Sequence, residues 1–168
     1  MKPSWRKAVV ERGSGNGFVL SGAGFCELLT AALEKGKTFR FKAGGVSMSP
    51  FIKDGDFLTV APFTGGRRPR LGDITAVKSR VTGNLLVHRI VRLDGNTCRI
   101  KADNMPVPDG LFPIDSLLGF VSHLERDQRR IHIHPGVGNT LVALFSRIGL
   151  IPIPLSIMKP LRFVLKFR

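Results

Sequence analysis

Ser47 lies in Gly44-Gly45-Val46-Ser47-Met48-Ser49-Pro50, where two glycines let the backbone turn tightly and a proline fixes the direction in which the chain leaves. A hydroxyl held on such a corner is a candidate nucleophile. Serine attacks poorly until a base takes its proton, and that base needs a polar group to orient it. His88 is the candidate base. It interrupts the apolar run Leu85-Leu86-Val87-His88-Arg89-Ile90-Val91, where an imidazole without a polar neighbour is costly to bury. Two carboxylates follow in Lys101-Ala102-Asp103-Asn104-Met105-Pro106-Val107-Pro108-Asp109-Gly110, a strand end running into a turn. An imidazole of ordinary pKa, about 6.5, can accept a serine proton at neutral pH and return it to a leaving amine. Taken singly, Ser47 is a loop serine, His88 a satisfied core histidine and Asp109-Gly110 an ordinary turn. Taken together they are the parts needed for acyl transfer.

Positioning these groups is the task of a chain whose pattern is mainly β. Alternation at 38–42 (Phe39 and Phe41 against Arg40 and Lys42) predicts a strand leading directly into the Ser47 corner. After Asp54-Gly55-Asp56, which reads as a turn, further strands are predicted at 57–60, 74–78, 85–92, 98–101 and 117–121, separated by turn signals such as Gly72-Asp73 and Asp94-Gly95-Asn96. Short strands at these spacings suggest a small, coiled, mostly antiparallel sheet or a partly open barrel. Ahead of them, a glycine- and serine-rich loop with a short strand at 18–20 precedes one helix, starting at Ser21 or Gly24 and stopping at Gly36. Its apolar face is Phe25, Leu28, Leu29, Ala32 and Leu33. The chain thus divides into an N-terminal loop and helix (1–36), a β domain (37–123) and a basic, apolar tail (124–168).

The 168 residues suit one domain with a modest appendage, and 26 Lys and Arg against 12 Asp and Glu give a formal net charge of +14. In the last nine residues Arg162, Lys166 and Arg168 interleave with Phe163, Val164, Leu165 and Phe167, a mixture that favours an anionic lipid surface over a nucleic-acid groove. No specific nucleic acid is expected. The apolar stretch from Leu141 to Met158 is broken by Arg147, Gly149, Pro152 and Pro154, which predicts a segment lying on or dipping into a membrane rather than one spanning it, with packing on the β domain as the plain alternative. Ala8-Val9-Val10 is too short for a signal peptide or anchor. Cys26 and Cys98 lack any paired spacing and are expected as buried thiols. The run Arg67-Arg68-Pro69-Arg70 reads as a solvated positive turn. His132 and His134 would share one strand face but lack further ligands nearby, so no metal and no cofactor is expected.

In order and spacing, Ser47-Met48-x-Pro50, Gly55-Asp56, Gly72-Asp73-Ile74, His88-Arg89-Ile90-Val91, Asp103-Asn104 with Asp109, and Leu118-Gly119-Phe120-Val121 resemble the signal peptidase I family over residues 39–123. Histidine where the bacterial enzymes carry a lysine base resembles the archaeal and endoplasmic-reticulum branch. The resemblance implies a signal peptidase type β fold and a membrane-associated serine endopeptidase that removes a leader or membrane-proximal segment from a peptide or protein. It further implies Ser47 as nucleophile, His88 as general base, and Asp103 and Asp109 as the branch's paired aspartates, one orienting the imidazole. Which one it leaves open. The chain departs from the family's pattern at Gly45, where a second oxyanion donor is usual, and in showing no N-terminal anchor, for which the basic tail is expected to substitute. The corner also resembles the self-cleaving domain of phage and SOS repressors, although those carry a lysine base and an N-terminal helix-turn-helix. A non-catalytic basic β module that binds an acidic partner or a membrane is the third reading.

Overall fold

The computed structural model describes residues 8–11, 17–20 and 22–133. Strands β1 (Ala8–Glu11) and β2 (Gly17–Leu20) form an antiparallel hairpin, followed by helix α1 (Gly22–Glu34). Eight further strands make one antiparallel sheet: β3 (Phe39–Lys42), β4 (Phe57–Ala61), β5 (Ile74–Lys78), β6 (Leu85–Asp94), β7 (Thr97–Lys101), β8 (Gly110–Pro113), β9 (Leu117–Arg126) and β10 (Arg129–His132). Their order is β3-β4-β9-β5-β6-β7-β8, with β10 paired to β9. The fold is therefore mainly β, an open sheet with one helix near the N-terminus, as expected from the sequence. None of the helices among the described residues is long and apolar enough to cross a membrane.

Helix α1 stops where glycine permits it. Gly36 takes φ +70°, and the bonds from Gly36 N to the Leu33 carbonyl (2.9 Å) and from Lys37 N to the Ala32 carbonyl (3.0 Å) close a Schellman cap. Phe25, Cys26, Leu29 and Leu33 are buried against the sheet, and Phe25 meets Phe39 and Phe41 edge-on at 5.7 and 5.1 Å. Leu28, predicted on this face, is 45 % exposed, because the buried stripe at 25, 26, 29 and 33 is narrow and position 28 falls outside it. The helix thus shares a core with β3, β4 and β9. Beyond it, Val77, Ile90, Cys98, Ile100, Phe112 and Leu117 pack a second cluster. Both cysteines are free and buried, and burial pushes the Cys98 thiol up to about 11.

β9 is the strand on which the sheet turns. One extra residue opposite each partner, at Ser122 against β4 and at Leu118 against β5, bends it. Gly119 lies between, and a Cβ there would meet the Ala61 carbonyl oxygen at 2.5 Å, so only glycine fits this crossing. β9 also runs past residue 123, where the sequence reading closes the β domain. Asp127 and Gln128, at φ 50° and 59°, form a two-residue turn that returns β10 onto it. This hairpin lacks the Asn-Gly or Asp-Gly signature, which is why the pattern alone misses it. β8, also unforeseen, is a four-residue edge strand ending in proline. The 67–70 run is not simply solvated. Arg67 pairs with both oxygens of Asp73 at 2.8 Å and its guanidinium lies 4.6 Å from the Phe120 ring centre, while Arg68 and Arg70 stay exposed. The tail from 134 onward, with His134 and the apolar 141–158 stretch, lies outside the described residues.

Candidate active site

Strand β3 delivers the chain into the Ser47 corner, and hydrogen bonds close the corner behind it. Ala43 and the following turn bond reciprocally: Ala43 N donates to the Asp56 carbonyl (2.7 Å) and Gly55 N to the Ala43 carbonyl (2.9 Å). Gly45, at φ +92°, donates its N–H to Asp54 Oδ1 at 2.7 Å. From Met48 the chain makes one helical turn, with Phe51 N and Ile52 N both donating to the Met48 carbonyl, and the buried side chains of Met48 and Ile52 root it in the core. Asp56 holds the far side. It accepts Lys53 N at 2.7 Å and two bonds from Arg126 at 2.8 and 2.6 Å. Burial opposes ionisation of Asp56, but Arg126 and the Lys53 N–H outweigh it and hold the carboxyl below the usual carboxylate range.

The loop after β7 passes over this corner. Asn104 N donates to the Ser47 carbonyl (2.8 Å) and Asn104 Nδ2 to the Val46 carbonyl (3.3 Å), while Asp103 N reaches Met48 Sδ at 3.4 Å. These contacts fix the serine against the strand that carries the histidine. Ser47 Oγ stands 3.2 Å from His88 Nε2, and His88 Nδ1 stands 2.7 Å from Asp109 Oδ2. An ionised carboxylate only accepts, so Nδ1 carries the proton and Nε2 is left as the acceptor for the serine O–H. His88 is 8 % exposed, and the ring is thereby held between its two partners.

The paired aspartates of the sequence reading separate. Asp109 takes the imidazole, whereas Asp103 takes Arg89: Arg89 Nε donates to Oδ1 at 2.9 Å and Nη2 to Oδ2 at 2.8 Å. Arg89 Nη1 bonds the Gly72 carbonyl at 3.0 Å, and the guanidinium lies 5.2 Å from the Phe51 ring centre. Both members of the pair are at most 1 % exposed. Asp103 therefore does not touch the histidine; it holds the loop that places Asp109 and Asn104. Arg89 and Asn104 are parts of the site to which residue types gave no role, although an arginine inside an apolar strand is itself a sign of a buried anion.

Gly45 spends its N–H on Asp54 and is no oxyanion donor. The N–H groups of Val46 and Ser47 donate to nothing among the described residues. Beside His88 lies an open strand edge. β7 pairs with β6 only from Arg89 to Asp94, so the outer edge of residues 85–88 has no strand partner among the described residues. Ile90 exchanges bonds with Gly72 and Asp73 on the β5 side, and strand alternation then turns the backbone groups of Leu85 and Val87 outward. Of the two histidines considered for a metal, His132 pairs across the β9–β10 hairpin with His123, ring centres 5.7 Å apart, and His134 lies outside the described residues. A family model described as Peptidase S24-like matches residues 8–121. Neither the curated proteins nor the solved structures contain a significant match.

Proposed function

The chain belongs to the Peptidase S24-like family, and from that premise we propose that it is a serine endopeptidase of signal peptidase I type, cutting a leader or membrane-proximal segment from a peptide or protein. The observation that carries this reading is the continuous line of Ser47 Oγ, His88 and Asp109, with steps of 3.2 and 2.7 Å. An extended peptide adds to the free edge of residues 85–88, its backbone bonding Val87 and Leu85, and so brings a carbonyl to Ser47. Ser47 Oγ attacks the carbonyl carbon as its proton passes to His88 Nε2. Asp109, accepting Nδ1–H throughout, stabilises the imidazolium. The unengaged N–H of Ser47, with that of Val46 beside it, supplies donors for the oxyanion. Collapse of the tetrahedral intermediate sends the Nε2 proton to the leaving amine, and water, deprotonated by the same nitrogen, then hydrolyses the acyl-serine.

The test is labelling by a serine-reactive phosphonate probe together with cleavage of a peptide library. Wild type is expected to label and to cut, and Ser47→Ala to do neither while keeping its fold. Labelling that persists in Ser47→Ala, or an unreactive wild type, leaves the non-catalytic β module as the reading. Self-cleavage of the repressor kind, which the family also supports, separates by order. A first-order loss of full-length chain, independent of protein concentration, marks an intramolecular cut, and turnover of added peptide marks an enzyme.

We also propose that the chain meets an anionic membrane peripherally through its C-terminal tail, on the strength of the interleaved basic and apolar residues of 160–168. The full chain is expected to bind vesicles containing anionic lipid, and a chain ending at Gly138 to lose most of that binding. Equal binding by the two removes the tail from the proposal.

A further inference from the structure

Two peptide groups flank the Cα of Ser47, and one residue holds both. Asn104 donates its backbone N–H to the Ser47 carbonyl at 2.8 Å and its side-chain Nδ2 to the Val46 carbonyl at 3.3 Å. Only the nitrogen of a side-chain amide can donate to a carbonyl, which fixes how that amide is turned. The Val46 oxygen also accepts Ser49 N–H at 3.1 Å, so both of its lone pairs are engaged and the plane of the Val46–Ser47 peptide is held. Both peptides are trans, the cis bond of this corner being Ser49–Pro50, and in a trans peptide the N–H points opposite to the carbonyl. Ser47 N–H is therefore aimed away from Asn104, and it donates to nothing among the described residues.

The clamp stands on an anchored base, although its own side chain is exposed. Asp103, one residue earlier, is fully buried, gives both oxygens to Arg89 and sets its N–H 3.4 Å from Met48 Sδ. Met105 N–H, one residue later, bonds the Ala102 carbonyl at 3.2 Å. An attacking hydroxyl and the N–H of the same residue work together only at a set angle, with Oγ facing the carbonyl carbon and the N–H facing the oxygen that gains charge. His88 holds Ser47 Oγ at 3.2 Å. We propose that Asn104 is a positioning residue of the reaction, which holds the other half of that angle by turning the Ser47 N–H toward the oxyanion. Since the Gly45 N–H is engaged by Asp54, the oxyanion depends on how well the remaining donor is aimed.

This inference rests on the peptidase reading, and the experiment separates the two. In the full chain, Asn104→Asp keeps the backbone N–H and nearly the shape of the side chain, but an ionised carboxylate only accepts and so repels the Val46 oxygen. On the pH plateau, kcat is expected to fall about 10- to 100-fold with KM held within about twofold, a smaller loss than removing an oxyanion donor outright. Affinity for a peptide boronic acid, whose tetrahedral adduct with Ser47 places an oxygen at the same donor, is expected to fall by the same factor. Asn104→Ala removes the side-chain donor without adding a charge and is expected to do likewise. A kcat within about twofold of wild type in both variants, a rise in KM with kcat unchanged, or a fall in kcat that leaves the boronate affinity unmoved overturns the proposal while the peptidase stands. A wild type that neither cuts peptides nor binds the boronate ends the peptidase reading and takes this inference with it.

Discussion

Replacing His88 with alanine is expected to lower kcat by about 10⁴-fold or more, with the fold intact. A lone serine hydroxyl is almost wholly protonated at neutral pH, and the only base within reach of Ser47 Oγ among the described residues is His88 Nε2, at 3.2 Å. Removing either member of such a pair removes the whole proton path, so Ser47→Ala and the double variant should fall to about the same floor rather than add. Asp109→Asn should cost less, about 10²- to 10⁴-fold. An amide can donate where the carboxylate accepts, which stabilises the wrong tautomer and withdraws the negative charge from beside the imidazolium. Steady-state kinetics on a peptide that the wild type cleaves decides this. If His88→Ala stays within tenfold of wild type, the base lies elsewhere and the line through Ser47, His88 and Asp109 is structural.

Asp103→Ala should fail in a different way, by losing about 3–5 kcal/mol of stability. Its carboxylate is fully buried and receives two bonds from Arg89, itself 1 % exposed. Truncation leaves the buried guanidinium without its anion, next to buried Lys101. By contrast, the Arg40–Glu125 pair is partly exposed, with 41 % and 24 % of its side chains open to solvent, and is worth at most about 1 kcal/mol. Denaturant unfolding reads the difference as a fall in midpoint without a change in slope. Substituting both partners, Arg89→Met with Asp103→Leu, should recover much of the loss because no buried charge remains. An Asp103→Ala protein that unfolds at the wild-type midpoint would show that the ion pair does not hold the loop. The two aspartates should thus part experimentally, one lost in rate and the other in stability.

Several elements are legible before any coordinates. Alternation marks β3, β5 and β7 to within a residue, because each has one or both faces packed and little freedom to slip register. The glycine at 36 marks the end of α1. The Ser47 corner announces itself through glycines and proline. What the pattern conceals is long-range or chemically unmarked. The continuation of β9 into β10 depends on a turn built from Asp127 and Gln128, ordinary residues held at positive φ by the pairing on either side. Leu28 looks like core by spacing and is not, since the width of a buried stripe is set by what packs against it. Arg67 looks like solvent by composition, yet Asp73 and Phe120 claim it.

The amino-acid order by itself determined that a serine on a tight corner, a histidine inside an apolar strand and two acids in one later loop had to be accounted for together. It could not divide the acids, since both are aspartates in the same segment with the same intrinsic chemistry. The division comes from the pleat of β6. Neighbours 88 and 89 leave a strand on opposite faces, so an imidazole and a guanidinium, adjacent in the chain, meet different stretches of the loop that crosses above them. Asp109 arrives where the ring is, Asp103 where the guanidinium is, and only the path of that loop in three dimensions decides which carboxylate reaches which face.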